Sequence, residues 1–302
     1  MTNDHRQGVI YGLLAYGLWG VVPLYFKLLA QVSTGEILMH RMLWCGLFLA
    51  IVVTMARRWG DVLRVFRTPR LLGLLCVSAL LIGVNWLLYI VSVETQQVVQ
   101  ASMGYFLTPL LSVLLGLAVL GEKMRPLQWV AVGVAALGCL ILVLVSGQVP
   151  YLGLALAGSF ALYGLARKTS KNVDGLLGLM IETLVLSPIA IVCLFLWQRE
   201  GSLAFGSHGA RLDWIIAASG LVTAFPLLAF GQAAQRLPLS SLGFLQFLSP
   251  RVQFAIAVLV FGEPFGQGRA ISFAIIWIGV AIFLIDLWRA HWPAYELPME
   301  PE

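Results

Sequence analysis

Ten continuously apolar stretches punctuate the chain, at residues 8–29, 35–56, 71–92, 97–120, 126–146, 150–167, 174–197, 212–234, 239–261 and 268–288. About 20 apolar residues let a helix cross the hydrocarbon core of a bilayer. Only helices and closed barrels satisfy their backbone there, and barrel strands would alternate apolar and polar positions, which these runs do not. The pattern predicts an all-α membrane protein of ten transmembrane helices; the run at 150–167 is the shortest.

A second pattern lies over the first. Ser102–Glu122 resembles Gly243–Glu263 at an offset of 141, which pairs Pro109 with Pro250, Thr108 with Ser249 and Glu122 with Glu263. Without a gap, the same offset pairs Gly12 with Gly153, Gly17 with Gly158, Lys27 with Lys168 and Gly138 with Gly279. The chain therefore reads as two five-helix repeats, 1–146 and 147–290, and a Pro-rich acidic tail, 291–302, expected to be disordered and cytoplasmic. An odd number of spans per repeat forces the two copies into opposite orientations. Inverted repeats are the architecture of carriers that rock one half against the other around a midplane site.

Composition agrees. The chain is 60% hydrophobic and 11% charged, where a soluble domain carries roughly 25% charged residues; mean hydropathy is +0.91. The net charge of +5 is spread over short loops rather than one patch, which argues against nucleic acid as a partner and for a lipid bilayer. With the N-terminus inside, thirteen Lys and Arg fall on the inner side and four on the outer, so both termini are expected to be cytoplasmic. Trp59, Trp129, Trp197, Trp214, Trp288 and Trp292 near run ends fit interfacial belts. The first run is too long for a signal peptide and lacks a cleavage site, so it is expected to be retained. Four unpaired cysteines and four scattered histidines predict neither a disulfide framework nor a metal site, and no cofactor is expected. No Walker A sequence occurs, so any drive comes from an ion or solute gradient.

A charge at the bilayer centre costs at least about 2.5–3.5 kcal/mol and so normally faces protein or water. Arg251 lies roughly 18 Å into the ninth run at 1.5 Å per residue, directly after Pro250. Gln246, Ser249 and Gln253 form one helical stripe, either the lining of a cavity or a packed hydrogen-bonded seam. Arg41 and Glu182 are again 141 apart; both are expected to line the aqueous pathway, and a salt bridge between them is not required. His40 is either a pathway residue or a buried, hydrogen-bonded imidazole, and Glu36 one turn away reads as a solvated helix start. Asn85, Trp86 and Tyr89 put an amide, an indole and a phenol on the third run, suited to a small amphiphile or to helix packing. Tyr105, Thr108, Thr223 and Phe225 are candidates of the same kind. Pro109, Pro226 and Pro250 are expected kinks or hinges, Glu122 and Glu263 loop-facing caps, and Asp286 the partner of Arg289. Gly8 and Gly12 are expected to permit close helix contact.

Gly104-Tyr-Phe-Leu-Thr-Pro109, Leu120-Gly-Glu122 and Gln128-Trp129 resemble the fourth and fifth helices of EamA-type drug/metabolite transporters. With Asn85-Trp86, Val222–Phe230, Arg236-Leu-Pro-Leu, Gly243–Pro250 and Phe261-Gly-Glu263-Pro, the set is similar to the RarD branch, often labelled chloramphenicol-sensitivity proteins. The resemblance implies a ten-helix inner-membrane permease for metabolite or drug efflux. The first run carries no acid, so the first-helix glutamate that couples protons in four-helix relatives has no counterpart here. The leading function is thus a secondary carrier exporting a small solute, with Arg251 and Arg41 favouring an anionic group; coupling ion and oligomeric state stay open. An intramembrane enzyme would need a nucleophile–base set, and Ser219-Gly220 lacks one. The third alternative is a channel or an accessory membrane protein, which saturable counterflow would exclude.

Overall fold

The computed structural model describes residues 3–147, 149–170, 173–260 and 267–289. These residues hold twelve α-helices and no strand. The first half contributes α1 (Asn3–Lys27), α2 (Thr34–Met55), α3 (Trp59–Phe66), α4 (Pro69–Glu94), α5 (Val98–Ala118) and α6 (Pro126–Ser146). The second contributes α7 (Tyr151–Thr169), α8 (Gly175–Glu200), α9 (Ala210–Arg236), α10 (Leu239–Gln246), α11 (Leu248–Leu259) and α12 (Gln267–Arg289). The expectations on Phe261–Pro264, Trp292 and the tail lie outside the described residues.

Local chemistry sets the boundaries. The Ser33 hydroxyl accepts from the Glu36 N–H and the Asp174 carboxylate from the Leu177 N–H, each satisfying an orphan donor of the first turn. Pro69 and Pro126 open α4 and α6, where no N–H is needed. Gly147 and Gly201 end α6 and α8 in the left-handed conformation, which glycine adopts without steric cost. The helix starts keep the offset read from the sequence: Thr34, Pro69, Val98 and Pro126 open α2, α4, α5 and α6, and Gly175, Ala210, Leu239 and Gln267, each 141 later, open α8, α9, α10 and α12.

Two departures have physical causes. The ninth apolar run is two helices, broken at Phe247 rather than at Pro250. Proline has no N–H to give the carbonyl four residues back, so Pro250 releases the Gln246 carbonyl and the break falls there. The short α3 occupies the Arg-rich connection read as loop, with Val62 and Val65 buried against the core and its arginines outside.

Seven helices, α1, α2, α4, α5, α6, α8 and α9, are long and apolar enough to cross a membrane. Their outer faces carry exposed Leu14, Ile51, Leu80, Leu140, Ile191 and Phe195, a surface that water would not tolerate and lipid would. The chain is an integral, multi-pass membrane protein.

The structure forms two compact units. In the smaller, α6 packs along α12, and the Arg125 guanidinium donates to Asp286 through Nε at 2.8 Å. Asp286 is thus held across two helices and is not the partner of Arg289. The larger unit contains α1–α5 and α7–α11. There, packing of α1 on α9 is matched by α7 on α4, α2 on α9 by α8 on α4, and α5 on α7 by α1 on α10 and α11. Each such contact between the halves recurs with the roles exchanged. Glycines bring the backbones close: a Cβ at Gly104 would lie 2.6 Å from the Gly153 carbonyl oxygen, and one at Gly8 2.8 Å from Cβ of Arg236. Gly8 and Gly12 serve contacts within the chain.

Candidate functional site: an aromatic cavity with one cation

A cavity of about 310 Å³ lies inside the larger unit, walled by α1, α2, α4, α5, α7, α9, α10 and α11. Seven aromatic side chains face it: Tyr16, Trp19, Phe26, Trp86, Tyr89, Tyr105 and Phe160. Arg41 is the only charged residue in its lining, and no acid faces it among the described residues. A second void, lined by Leu29, Ala30, Val32, Thr34 and Ile90, shares Phe26, Arg41, Trp86 and Tyr89 with the first. The cavity therefore continues towards the α1–α2 connection.

Arg41 is fixed on its inner side. Its Nε donates to Thr223 Oγ1 at 2.8 Å, and Thr223 passes its own hydrogen to the Ser219 carbonyl at 2.8 Å. The guanidinium stands over the rings of Phe26 and Trp86, 5.4 Å from each centroid, where the ring quadrupoles partly replace its hydration. Its two terminal nitrogens form a bidentate edge, the geometry that suits a carboxylate or similar planar anion.

The polar remainder of the wall is pre-set. Asn85 spends both amide hydrogens on α7, donating to the Leu156 carbonyl at 2.9 Å and Ser159 Oγ at 3.0 Å, which leaves its carbonyl oxygen as the free function. Three prolines each strip the helical donor from the carbonyl of a lining residue: Pro23 from Trp19, Pro109 from Tyr105 and Pro250 from Gln246. Gln253 Nε2 replaces the first, donating to the Trp19 carbonyl at 3.2 Å. The stripe of Gln246, Ser249 and Gln253 thus lines the cavity and also takes part in a hydrogen-bonded seam with α1. α5 and α9 run on through Pro109 and Pro226.

Of the residues singled out in the sequence, Arg41, Asn85, Trp86, Tyr89, Tyr105, Thr108, Gln246, Ser249 and Gln253 are brought together around this cavity. Thr223 stands behind Arg41. Four others lie elsewhere. Arg251 is half-buried and outside the lining; two residues from both Ser249 and Gln253, it points some 200° away at 100° per residue. His40 is buried, 3.8 Å from Glu36 and tilted against Phe205 with ring centroids 4.7 Å apart. Glu182 is buried among α4, α7 and α8, with Arg167 Nη1 at 3.4 Å. Phe225 is exposed and packs on Phe48.

Glu36 is not a solvated helix start. Its carboxylate is buried and accepts from the backbone N–H groups of Ala204 at 3.0 Å and Phe205 at 2.8 Å, pinning the α8–α9 connection. Glu36→Ala would orphan the buried Ala204 donor at about 1–3 kcal/mol and the half-buried Phe205 donor at less. Hydrogen exchange at residues 203–206 is expected to accelerate strongly while exchange in α5 stays slow; unchanged protection there would contradict this role. Glu122 caps a helix other than its own: it accepts from the Leu239 N–H at 2.6 Å and from the Ser240 N–H at 2.9 Å, at the start of α10.

Sequence reasoning missed Tyr16, Trp19, Phe26 and Phe160, which read as ordinary apolar positions. A signal was present: Trp19 and Phe160 are 141 apart and meet edge to face with centroids 5.7 Å apart.

The profile of the EamA-like transporter family matches residues 6–144. An uncharacterized transporter of Vibrio cholerae serotype O1 is 44% identical over 284 residues, covering 94% of each chain. Protein RarD of Escherichia coli K12 is 42% identical over 285 residues, covering 94% of this chain and 96% of its own. A solved crystal structure superimposes with a TM-score of 0.68 at 17% identity, over 94% of this chain and 99% of the other, a likeness of fold.

Proposed function

Because the chain belongs to the EamA-like transporter family, within its RarD branch, we propose that it is a secondary carrier exporting a small amphiphilic anion by alternating access. Ten spans in two inverted five-helix halves, 1–146 and 147–290, would cross the inner membrane with both termini in the cytoplasm, α10 and α11 together making one crossing. The shared helix starts and the exchanged packing partners support a two-fold relation between the halves.

One observation carries the reading: residues of both halves wall a single cavity that is aromatic on most sides and holds one unopposed cation, Arg41. Its size and lining suit a small ligand with an apolar body and one anionic group. At one end it continues past Val32 and Thr34, on the face poorer in Lys and Arg. Towards the opposite face, Glu122 caps α10 and the Lys168 ammonium donates to the Leu237 carbonyl, contacts that would hold that side shut.

The test is counterflow in proteoliposomes across a panel of aromatic carboxylates and their neutral amides. Saturable, competable exchange of the anions is expected. Flux that never saturates would replace the carrier with a channel, and no flux of any member would remove the proposal.

A further inference from the structure

We propose that Glu182, paired with Arg167 in the buried contact between α7 and α8, is a proton-binding site set one residue layer behind the substrate cavity. Both side chains are 1% exposed, and they touch through a single 3.4 Å contact between Arg167 Nη1 and Glu182 Oε1. Among the described residues, Arg167 Nε has no hydrogen-bond partner. A pair built only for stability would be expected to use the two-pronged geometry of arginine with carboxylate. This one holds the carboxylate loosely against the cost of burying it.

The surrounding shell accepts both protonation states. Ser78 Oγ lies 2.5 Å from Glu182 Oε1 and 3.1 Å from the Leu75 carbonyl, and its one hydrogen can serve either. Facing a carboxylate, the serine donates to Oε1. Once Oε1 carries a proton, that proton is given to Ser78 Oγ and the serine hydrogen turns to Leu75. Tyr163, 3.2 Å from Oε2, can likewise donate or accept. Proton uptake changes the pair from net neutral to net positive, with the added charge left on Arg167.

Arg167 is held in place for this. Its guanidinium fills a slot that only glycine leaves open: a Cβ at Gly178 would lie 1.5 Å from Nη1 and one at Gly231 2.7 Å from Nη2. The groups facing Glu182 are Arg167 and Tyr163 from α7, Ser78 from α4 and Cys45 from α2. α9 brings Gly231, its ionisable side chains standing in its first and last turns. A void of about 10 Å³ touches Glu182, at the lower limit of space for one water. Ile82 and Trp86 line both this void and the main cavity. α4 and α7, which hold the carboxyl, also carry Asn85, Trp86, Tyr89 and Phe160 into the cavity wall. The proton site and the substrate site are therefore mounted on the same two helices.

That the bound proton drives transport rests on the carrier reading; the titration does not. The test is pH-difference infrared spectroscopy on the full chain in lipid nanodiscs. On acidification from mildly alkaline to mildly acidic pH, the wild type is expected to gain a protonated-carboxyl band that Glu182→Gln lacks. Tyr163→Phe removes one donor from the carboxylate, so the band should appear at higher pH, a result that does not need the glutamine variant to fold. No titrating band in the wild type, or a band unaffected by both substitutions, would overturn the proposal. A wild type that moves no solute but titrates would sink the carrier alone. One that moves solute without this band would sink the proton site alone.

Discussion

Arg41→Ala is expected to weaken binding of a monoanionic aromatic probe such as phenylacetate about a hundredfold, roughly 2.8 kcal/mol at 1.4 kcal/mol per tenfold. The size follows from the site: among the described residues the guanidinium is the only charge in the lining, and it is flanked by the rings of Phe26 and Trp86 and aligned by Thr223. An anion that loses it would have to leave water for an aromatic pocket with no counter-charge. Arg41→Lys should recover only part of the loss, because an ammonium has neither the planar fork nor the flat face that stacks on the two rings. Half-saturation concentrations in counterflow measure the effect. The neutral amide of the same probe is the control, and its half-saturation should barely move. An equal loss for acid and amide would mean that Arg41 shapes the pocket rather than recognises charge.

Removing the other buried cation should act on stability. Arg167→Met leaves Glu182 as an unpaired charge in a site 1% exposed, and breaking a buried pair in this way costs about 3–5 kcal/mol. The variant is expected to denature at markedly lower temperature at neutral pH. The deficit should shrink on acidification, as the orphaned carboxyl takes a proton instead of staying charged. Adding Glu182→Gln to Arg167→Met should return most of the lost stability, since no buried charge then remains. Thermal denaturation of the wild type and these two variants across pH is the measurement. A single variant as stable as the wild type at neutral pH would show that the pair contributes little.

Much of the scaffold was legible because lipid imposes so simple a rule. Each apolar run became helix, and the offset of 141 returned as shared helix starts at Thr34 and Gly175, Pro69 and Ala210, Val98 and Leu239. What failed was any inference that needed a partner. Arg167, one of the thirteen basic residues counted on the inner side, turns inward between Gly178 and Gly231. Glu182 was matched with Arg41 by the repeat, but its ion pair comes from a helix fifteen residues back in sequence. Asp286, expected to pair with a neighbour on its own helix, pairs instead with Arg125 at the N-cap of α6. Depth in the membrane and periodicity along one helix can be read from a sequence; the face that a second helix turns towards it cannot. Arg251 shows the reverse. The stripe of Gln246, Ser249 and Gln253 already places it on the other side of the helix, since two residues turn a helix by some 200°.

The claim beneath all of this, that the halves cross the bilayer in opposite directions, can be read directly from two equivalent positions. Arg57, just after α2, and Gln198, in the last turn of α8, are 141 apart and both exposed. With the native cysteines replaced, a membrane-impermeant thiol reagent should label Gln198→Cys only from outside intact cells and Arg57→Cys only in inverted vesicles. Labelling of both from the same side would contradict the inverted architecture, and with it the carrier mechanism built on it.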